Sequence, residues 1–217
     1  MSELAFTPSG YNPHFTTPRA PFDRKTGRLP GGSSSGSGVA VADGQVAVSI
    51  GTDTGGSIRI PAAWCGVTGF KPTSDVIPKK GCRPLAPSFD SIGPLARSVE
   101  DCWRVHQVLA GISQQPLDDI DQNKIRLAVP SADSLFLSGM DSQVSETFHE
   151  TAALLKDSGV EIIELDLRMM EKTLDLNTIL FFTESTASNW DVLNQERMRD
   201  QTDENLMDCE VRERLED

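Results

Sequence analysis

Two stretches of this 217-residue chain combine the residue types that acyl transfer needs. One is Gly31-Gly32-Ser33-Ser34-Ser35-Gly36 and the other is Gly51-Thr52-Asp53-Thr54-Gly55-Gly56-Ser57. A serine hydroxyl attacks a carbonyl once a neighbour takes its proton, and glycine-rich backbone can turn several N–H groups toward the oxyanion that forms. The second loop follows an apolar run and ends on Ser57, so its N–H groups can converge on one point. A glycine-rich loop after a strand can cradle phosphate, but this one is no P-loop, because it has no Gly-Lys-Ser/Thr. Residues 32–36 also match G-x-S-x-G. That elbow follows a strand, however, and Arg28-Leu29-Pro30-Gly31 does not read as one.

The candidate bases are few. His14 lies in an irregular N-terminal segment, His106 on an apolar helix face, and His149 beside the core-facing Phe148. No local pattern puts any of them next to Ser57, although a histidine base is not ruled out by sequence. Cys65, in Ala-Trp-Cys-Gly between apolar neighbours, reads as an inert buried thiol. Lys25 reads as a surface charge and Lys71 as structural.

The elements that must position these residues follow from periodicity. Residues 1–30, rich in Pro, Gly, Thr and Arg, read as irregular chain lying on something else. Ser34–Ala42 is a small-residue helix suited to very close packing, since glycine weakens a free-standing helix by about 1 kcal/mol against alanine. Gln45–Ile50 is a β-branched strand, and Ile60–Cys65 a short helix with Pro61 in its first turn. Ser98–Ala110 is a helix with Ser98 and Asp101 as a capping-box variant, an apolar face of Val99, Cys102, Trp103, His106 and Leu109, and Gly111 after its end. Ile125–Val129 and Val160–Leu165 are strands flanking a helix over Ser142–Asp157, capped by Asp141, with Val144, Phe148 and Leu155 on one face. This βαβ unit implies a parallel pair. From Met169 on, the chain reads as helical and increasingly charged.

Charge is uneven. Residues 1–111 hold 11 Lys+Arg against 8 Asp+Glu, and residues 112–217 hold 9 against 24. An acidic surface repels phosphate backbones, so no nucleic-acid partner is expected. Cys65, Cys82, Cys102 and Cys209 stand far apart with no CxxC, which argues against a zinc site and a disulfide framework and for a reducing compartment. The start lacks a signal-peptide pattern, and no apolar run has bilayer-spanning length. No membrane role is expected, and a cytoplasmic location is.

The stretches "PGGSSSGSGVAVADG", "GTDTGGSIRIPAAWCGVTGFKPT" and "DSIGPLARSVEDC" resemble the amidase signature family, closely over residues 3–111 and more loosely to 217. The resemblance implies an α/β fold: an amidase-signature core with a mixed, mostly parallel sheet flanked by helices, incomplete in this chain. It implies one truncated domain over 1–217, with 1–111 the signature core and 112–217 an acidic βαβ and helical part. It implies amide-bond hydrolysis through a serine acyl-enzyme, without cofactor or metal, on a small-molecule amide. Ser57 takes the place of the nucleophile and Ser33 that of the bridging serine after a cis Gly32–Ser33 peptide. The backbone N–H groups of Thr54, Gly55, Gly56 and Ser57 form the oxyanion hole. Asp53 and Arg59, flanking the loop, are expected to shape it or pair with each other. The family's base is a lysine upstream of the first motif, and no residue of this sequence matches it, so the 217 residues alone are expected to show little activity. Three other readings stay open: an inactive remnant or binding module that keeps the fold, a serine hydrolase with a histidine base, and an oligomer or complementing chain that completes the site.

Overall fold

The computed structural model describes residues 1–199; Cys209 and the charged stretch from 200 onward lie outside the described residues. Two compact units divide the described residues: Met1–Leu117 together with those from Phe181 on, and Asp118–Leu180.

The first unit is built around a three-stranded antiparallel sheet in the order β1 (Val48–Asp53), β3 (Ser91–Ala96), β2 (Thr68–Gly69). Register runs from Val48 opposite Ala96 to Asp53 opposite Ser91. Strand β1 thus starts three residues later than the β-branched run suggests and continues into the glycine-rich loop, ending on Asp53. The central strand, Ser-Ile-Gly-Pro-Leu-Ala, carries Gly93 and Pro94, residues that argue against a central strand from sequence. Gly93 is required there because any Cβ would collide with the Phe70 carbonyl. Pro94 donates nothing, but its carbonyl accepts the Phe70 N–H at 3.0 Å.

Helix α1 (Ser35–Ala42) packs on α2 (Arg59–Cys65), and a Cβ at Gly38 would lie 3.1 Å from the Pro61 carbonyl oxygen. The glycine and serine content of α1 serves this close approach. Val41, Ile58, Ala62 and Leu95 form the core beneath, with Val67 against it. Each fully buried aliphatic side chain there contributes about 1.5–3 kcal/mol.

Helix α3 (Val99–Ala110) starts as its cap requires. Ser98 Oγ accepts the Asp101 N–H at 3.1 Å and donates to Asp101 Oδ2 at 2.7 Å, and Gly111 ends the helix with φ +68°. Its buried face differs from the expected apolar stripe. Val99 is 61% exposed, while Cys102, His106 and Gln107 are buried. Gln107 goes inward because its amide clasps the following loop, donating to the Gln115 carbonyl at 2.9 Å and accepting the Gln115 N–H at 2.8 Å.

A second cluster in this unit joins Phe6, Leu85 and Leu193, with Phe181 and Phe182 packed against it. It forms because the far half of α5 (Arg168–Arg199) returns to the segment 82–90. Arg83 Nε donates to Asn189 Oδ1 at 3.1 Å, and Glu184 Oε2 accepts the Ser88 N–H at 2.8 Å.

The second unit holds β4 (Arg126–Pro130), α4 (Ser142–Asp157) and β5 (Glu161–Leu165). β4 and β5 pair in parallel, Arg126 opposite Glu161, and among the described residues parallel pairing is confined to this unit. Asp141 caps α4, its Oδ1 accepting the Gln143 N–H at 2.9 Å. Phe148 and Leu155 are half-buried, whereas Val144 is exposed. The chain as a whole is α/β, with helices against small sheets.

Candidate active site

The loop Gly31–Ser35 is sealed by backbone. The Gly32 N–H donates to the Pro8 carbonyl at 2.7 Å, and the Ser2 N–H donates to the Ser33 carbonyl at 3.2 Å. A Cβ at Gly32 would fall 2.5 Å from the Gly10 nitrogen. Glycine at 32 therefore lets the N-terminal segment lie directly on this loop, which gives the irregular residues 1–10 their purpose. The Gly32–Ser33 peptide is cis. Ser33 is 0% exposed, and its Oγ has no hydrogen-bond partner, a property it shares with Ser35 Oγ.

The loop from Asp53 to Arg59 is held by one carboxylate. Asp53 Oδ1 accepts the Gly56 N–H at 2.8 Å, and Oδ2 accepts the Ile58 N–H at 3.2 Å. Arg59 adds a two-point bond, Nη2 to Oδ1 and Nε to Oδ2, both at 3.0 Å. Asp53 is fully buried while the Arg59 side chain is 55% exposed, so the pair reaches from the interior to solvent. Burial by itself would raise the Asp53 pKa. The Arg59 side-chain hydrogen bonds, the Ile58 N–H and the guanidinium charge outweigh it and hold the carboxyl below its usual range.

The two loops meet where the Ser34 N–H donates to the Ser57 carbonyl at 3.2 Å. Asp90 completes the frame. Its Oδ1 accepts Thr54 Oγ1–H at 2.5 Å and the Ala86 N–H at 3.2 Å, and its Oδ2 accepts the Leu85 N–H at 2.9 Å. Sequence reading missed Asp90, since a carboxylate in Ser-Phe-Asp has no local signature of a loop 36 residues away. It missed Phe181 for the same reason.

Ser57 is half-buried and opens on a recess of about 190 Å³ lined by Ala5, Phe6, Thr7, Pro8, Thr54, Gly55, Ile60, Leu85 and Phe181. A larger cavity of about 460 Å³ shares Ala5, Thr54 and Leu85 with it and carries Lys79, Arg83 and Asp90 on its walls.

The candidate bases lie elsewhere. His106 is 6% exposed, stacked on Trp103 at 5.5 Å and edge-on to Phe70 at 5.0 Å, and burial lowers its pKa. His14 is exposed beside Glu3 at 3.5 Å, and His149 is exposed on α4. Lys25 is exposed, and Lys71 Nζ donates to the Pro72 carbonyl at 2.8 Å and to Ser91 Oγ at 3.4 Å. Burial, with a smaller effect from Asp43, pushes the Cys65 thiol up to about 11, so it is no nucleophile at neutral pH. Among the described residues, no group of His, Cys, Asp and Glu could hold a metal ion, and no helix is long and apolar enough to cross a membrane.

Comparison with known proteins places this α/β chain among the amidases. The family model described as Amidase matches residues 1–216, and the chain belongs to that family. The A subunit of the glutamyl-tRNA(Gln) amidotransferase of Legionella pneumophila (strain Corby) is 37% identical over 182 residues, 78% of this chain and 37% of that protein. The crystal structure of an amidase matches with a TM-score of 0.86 and 35% identity, over 99% of this chain and 46% of that one. The crystal structure of the corresponding glutamyl-tRNA(Gln) amidotransferase polypeptide of Thermotoga maritima matches with a TM-score of 0.74 and 29% identity, over 92% and 46%. The chain thus spans less than half the length of these relatives.

Proposed function

We propose that this chain carries the nucleophile of an amide-bond hydrolase that works through a serine acyl-enzyme. The observation that supports this reading most is the meeting of the two loops: Ser57, at the mouth of a recess, is hydrogen-bonded through its carbonyl to the residue after the buried, unpartnered Ser33. Ser57 Oγ attacks the amide carbon while its proton passes to Ser33 Oγ, and Ser33 releases its own proton to a base. The tetrahedral intermediate then collapses, the C–N bond breaks and the leaving amine takes a proton. Water cleaves the resulting ester, giving a carboxylic acid and free Ser57.

The oxyanion is held by loop N–H groups. The Gly56 N–H is already spent on Asp53, whereas those of Thr54, Gly55 and Ser57 make no hydrogen bond within the described residues. These three are the donors in this proposal. The resemblance to the amidase signature family makes the base that receives this proton a neutral lysine.

The test is a serine-directed phosphonate probe read by mass spectrometry on protein that hydrolyses an aryl amide. Label is expected on Ser57, and Ser57→Ala is expected to abolish both label and turnover, a loss of several orders of magnitude in rate. Label retained in Ser57→Ala overturns the assignment.

A further inference from the structure

We infer that the recess beside Ser57 binds an uncharged, apolar acyl group about the size of a benzoyl ring, and that Phe181 on α5 sets that size. The inference rests on Ser57 being the reacting residue.

Volume and lining carry it. A cavity of roughly 150 Å³ lined by aliphatic and aromatic groups takes up benzene, and this recess offers about 190 Å³. Ala5, Phe6, Pro8, Ile60, Leu85 and Phe181 give it apolar walls, and the polar groups that reach it belong to Thr7 and to the loop of Thr54, Gly55 and Ser57. No wall residue carries a charge. An ammonium or carboxylate entering it would give up part of its hydration against these walls and meet no counter-ion on them, which is unfavourable.

The neighbouring cavity does not supply that counter-ion. Lys79 Nζ is engaged by Asp75 at 2.9 Å and by the Pro87 carbonyl at 3.0 Å. Arg83 is engaged by Asn189 and Asp191, both at 3.1 Å. Asp90 is filled by Thr54 and two backbone N–H groups. Lys79 and Arg83 are thus already ion-paired within the fold, and the Asp90 oxygens already accept hydrogen bonds.

Phe181 is the wall most open to change. Its ring stands 5.5 Å from Phe6 and 5.5 Å from Phe182, and it arrives on a helix rather than on either serine loop. Substitution there alters the recess without touching the reacting backbone.

Binding to the Ser57→Ala protein tests this without needing turnover, by saturation-transfer NMR competition among benzamide, hexanamide, acetamide and glutamine, whose ammonium and carboxylate are both charged. Benzamide and hexanamide are expected to bind at least tenfold more tightly than glutamine. In the same protein, Phe181→Trp is expected to move the preference toward acetamide, and Phe181→Leu toward a larger ring such as naphthamide. Circular dichroism confirms that each variant is folded, and the ranking in the unaltered recess needs no substitution at 181. Glutamine binding as tightly as benzamide overturns the inference, as does an unchanged ranking in both folded variants. Phosphonate label that misses Ser57 overturns the catalytic proposal instead, so the two failures are distinguishable.

Discussion

Around Ser33 the loop is walled by other backbone: Pro8 takes the Gly32 N–H, Ser2 reaches the Ser33 carbonyl, and Gly10 leaves no space for a side chain at 32. Around Ser57 the loop is open on one side, and its organiser is the side chain of Asp53 with Arg59 behind it. One loop is made rigid by close packing, the other by a charge that gathers N–H groups. The difference suits the proposed roles. A relay hydroxyl works dry and fixed, while a nucleophile must face its substrate and keep spare N–H donors beside it. It also teaches that the two loops should fail differently: the first to added volume, the second to lost charge.

The largest expected effect tests the relay. In protein that hydrolyses an aryl amide, Ser33→Ala should lower turnover by about 10²–10⁴-fold, the range for losing a positioned proton-transfer group, with little change in thermal unfolding, because the hydroxyl has no partner to lose. A rate within threefold of the unaltered protein would remove Ser33 from the mechanism.

Volume separates the loops next. Gly32→Ala should destabilise the protein by about 3 kcal/mol or more, the upper range for overpacking, because the neighbour it strikes is backbone. At Gly55 a Cβ meets nothing within 4 Å, so Gly55→Ala should leave stability nearly unchanged. Urea titration of both variants checks the contrast, and equal midpoints would break it.

Charge is the converse probe. Asp53→Asn should cost about 2–3 kcal/mol, since charged hydrogen bonds are lost at a buried acceptor, and it should lower turnover by loosening the loop. Arg59→Lys should cost less, about 1 kcal/mol, because that side chain is half exposed and lysine lacks only the planar fork. An Arg59→Lys protein with unaltered rate and stability would show that the guanidinium does not shape the loop.

The smallest effect is a pH dependence away from both loops. Burial lowers the His106 pKa, so the unfolded chain binds a proton more readily than the folded one. Stability should be full above the unfolded value of about 6.5 and fall as pH drops from there toward the folded pKa, by at most about 1.4 kcal/mol per pH unit. His106→Phe should flatten this slope in urea titrations between pH 7 and pH 5. An unchanged slope would assign it to another group. Asp53 acts lower, its stabilisation present above the unfolded carboxyl value of about 3.9 and lost as pH falls through the depressed folded value.

Local signals placed several elements well. Ser98, Asp101 and Gly111 mark the ends of α3, Asp141 marks the start of α4, and the βαβ pattern implies the β4–β5 pair. These are readable because a cap, a period or a turn involves residues close in sequence. Strand β3 was not readable, since its Gly93 and Pro94 contradict strand propensity and are justified only by Phe70 across the sheet. The inward Gln107 was likewise hidden, its partner being a loop eight residues on.

By itself the sequence determined which two loops hold the serines, the α/β class and the family, because glycine-serine motifs report local backbone needs. Tertiary structure alone decided that Ser34 meets Ser57, that Asp90 ties Thr54 to the segment 85–86, and that Phe181 walls the recess. Those contacts join residues far apart in the chain. Their strength depends on burial and distance, which exist only once the backbone has closed.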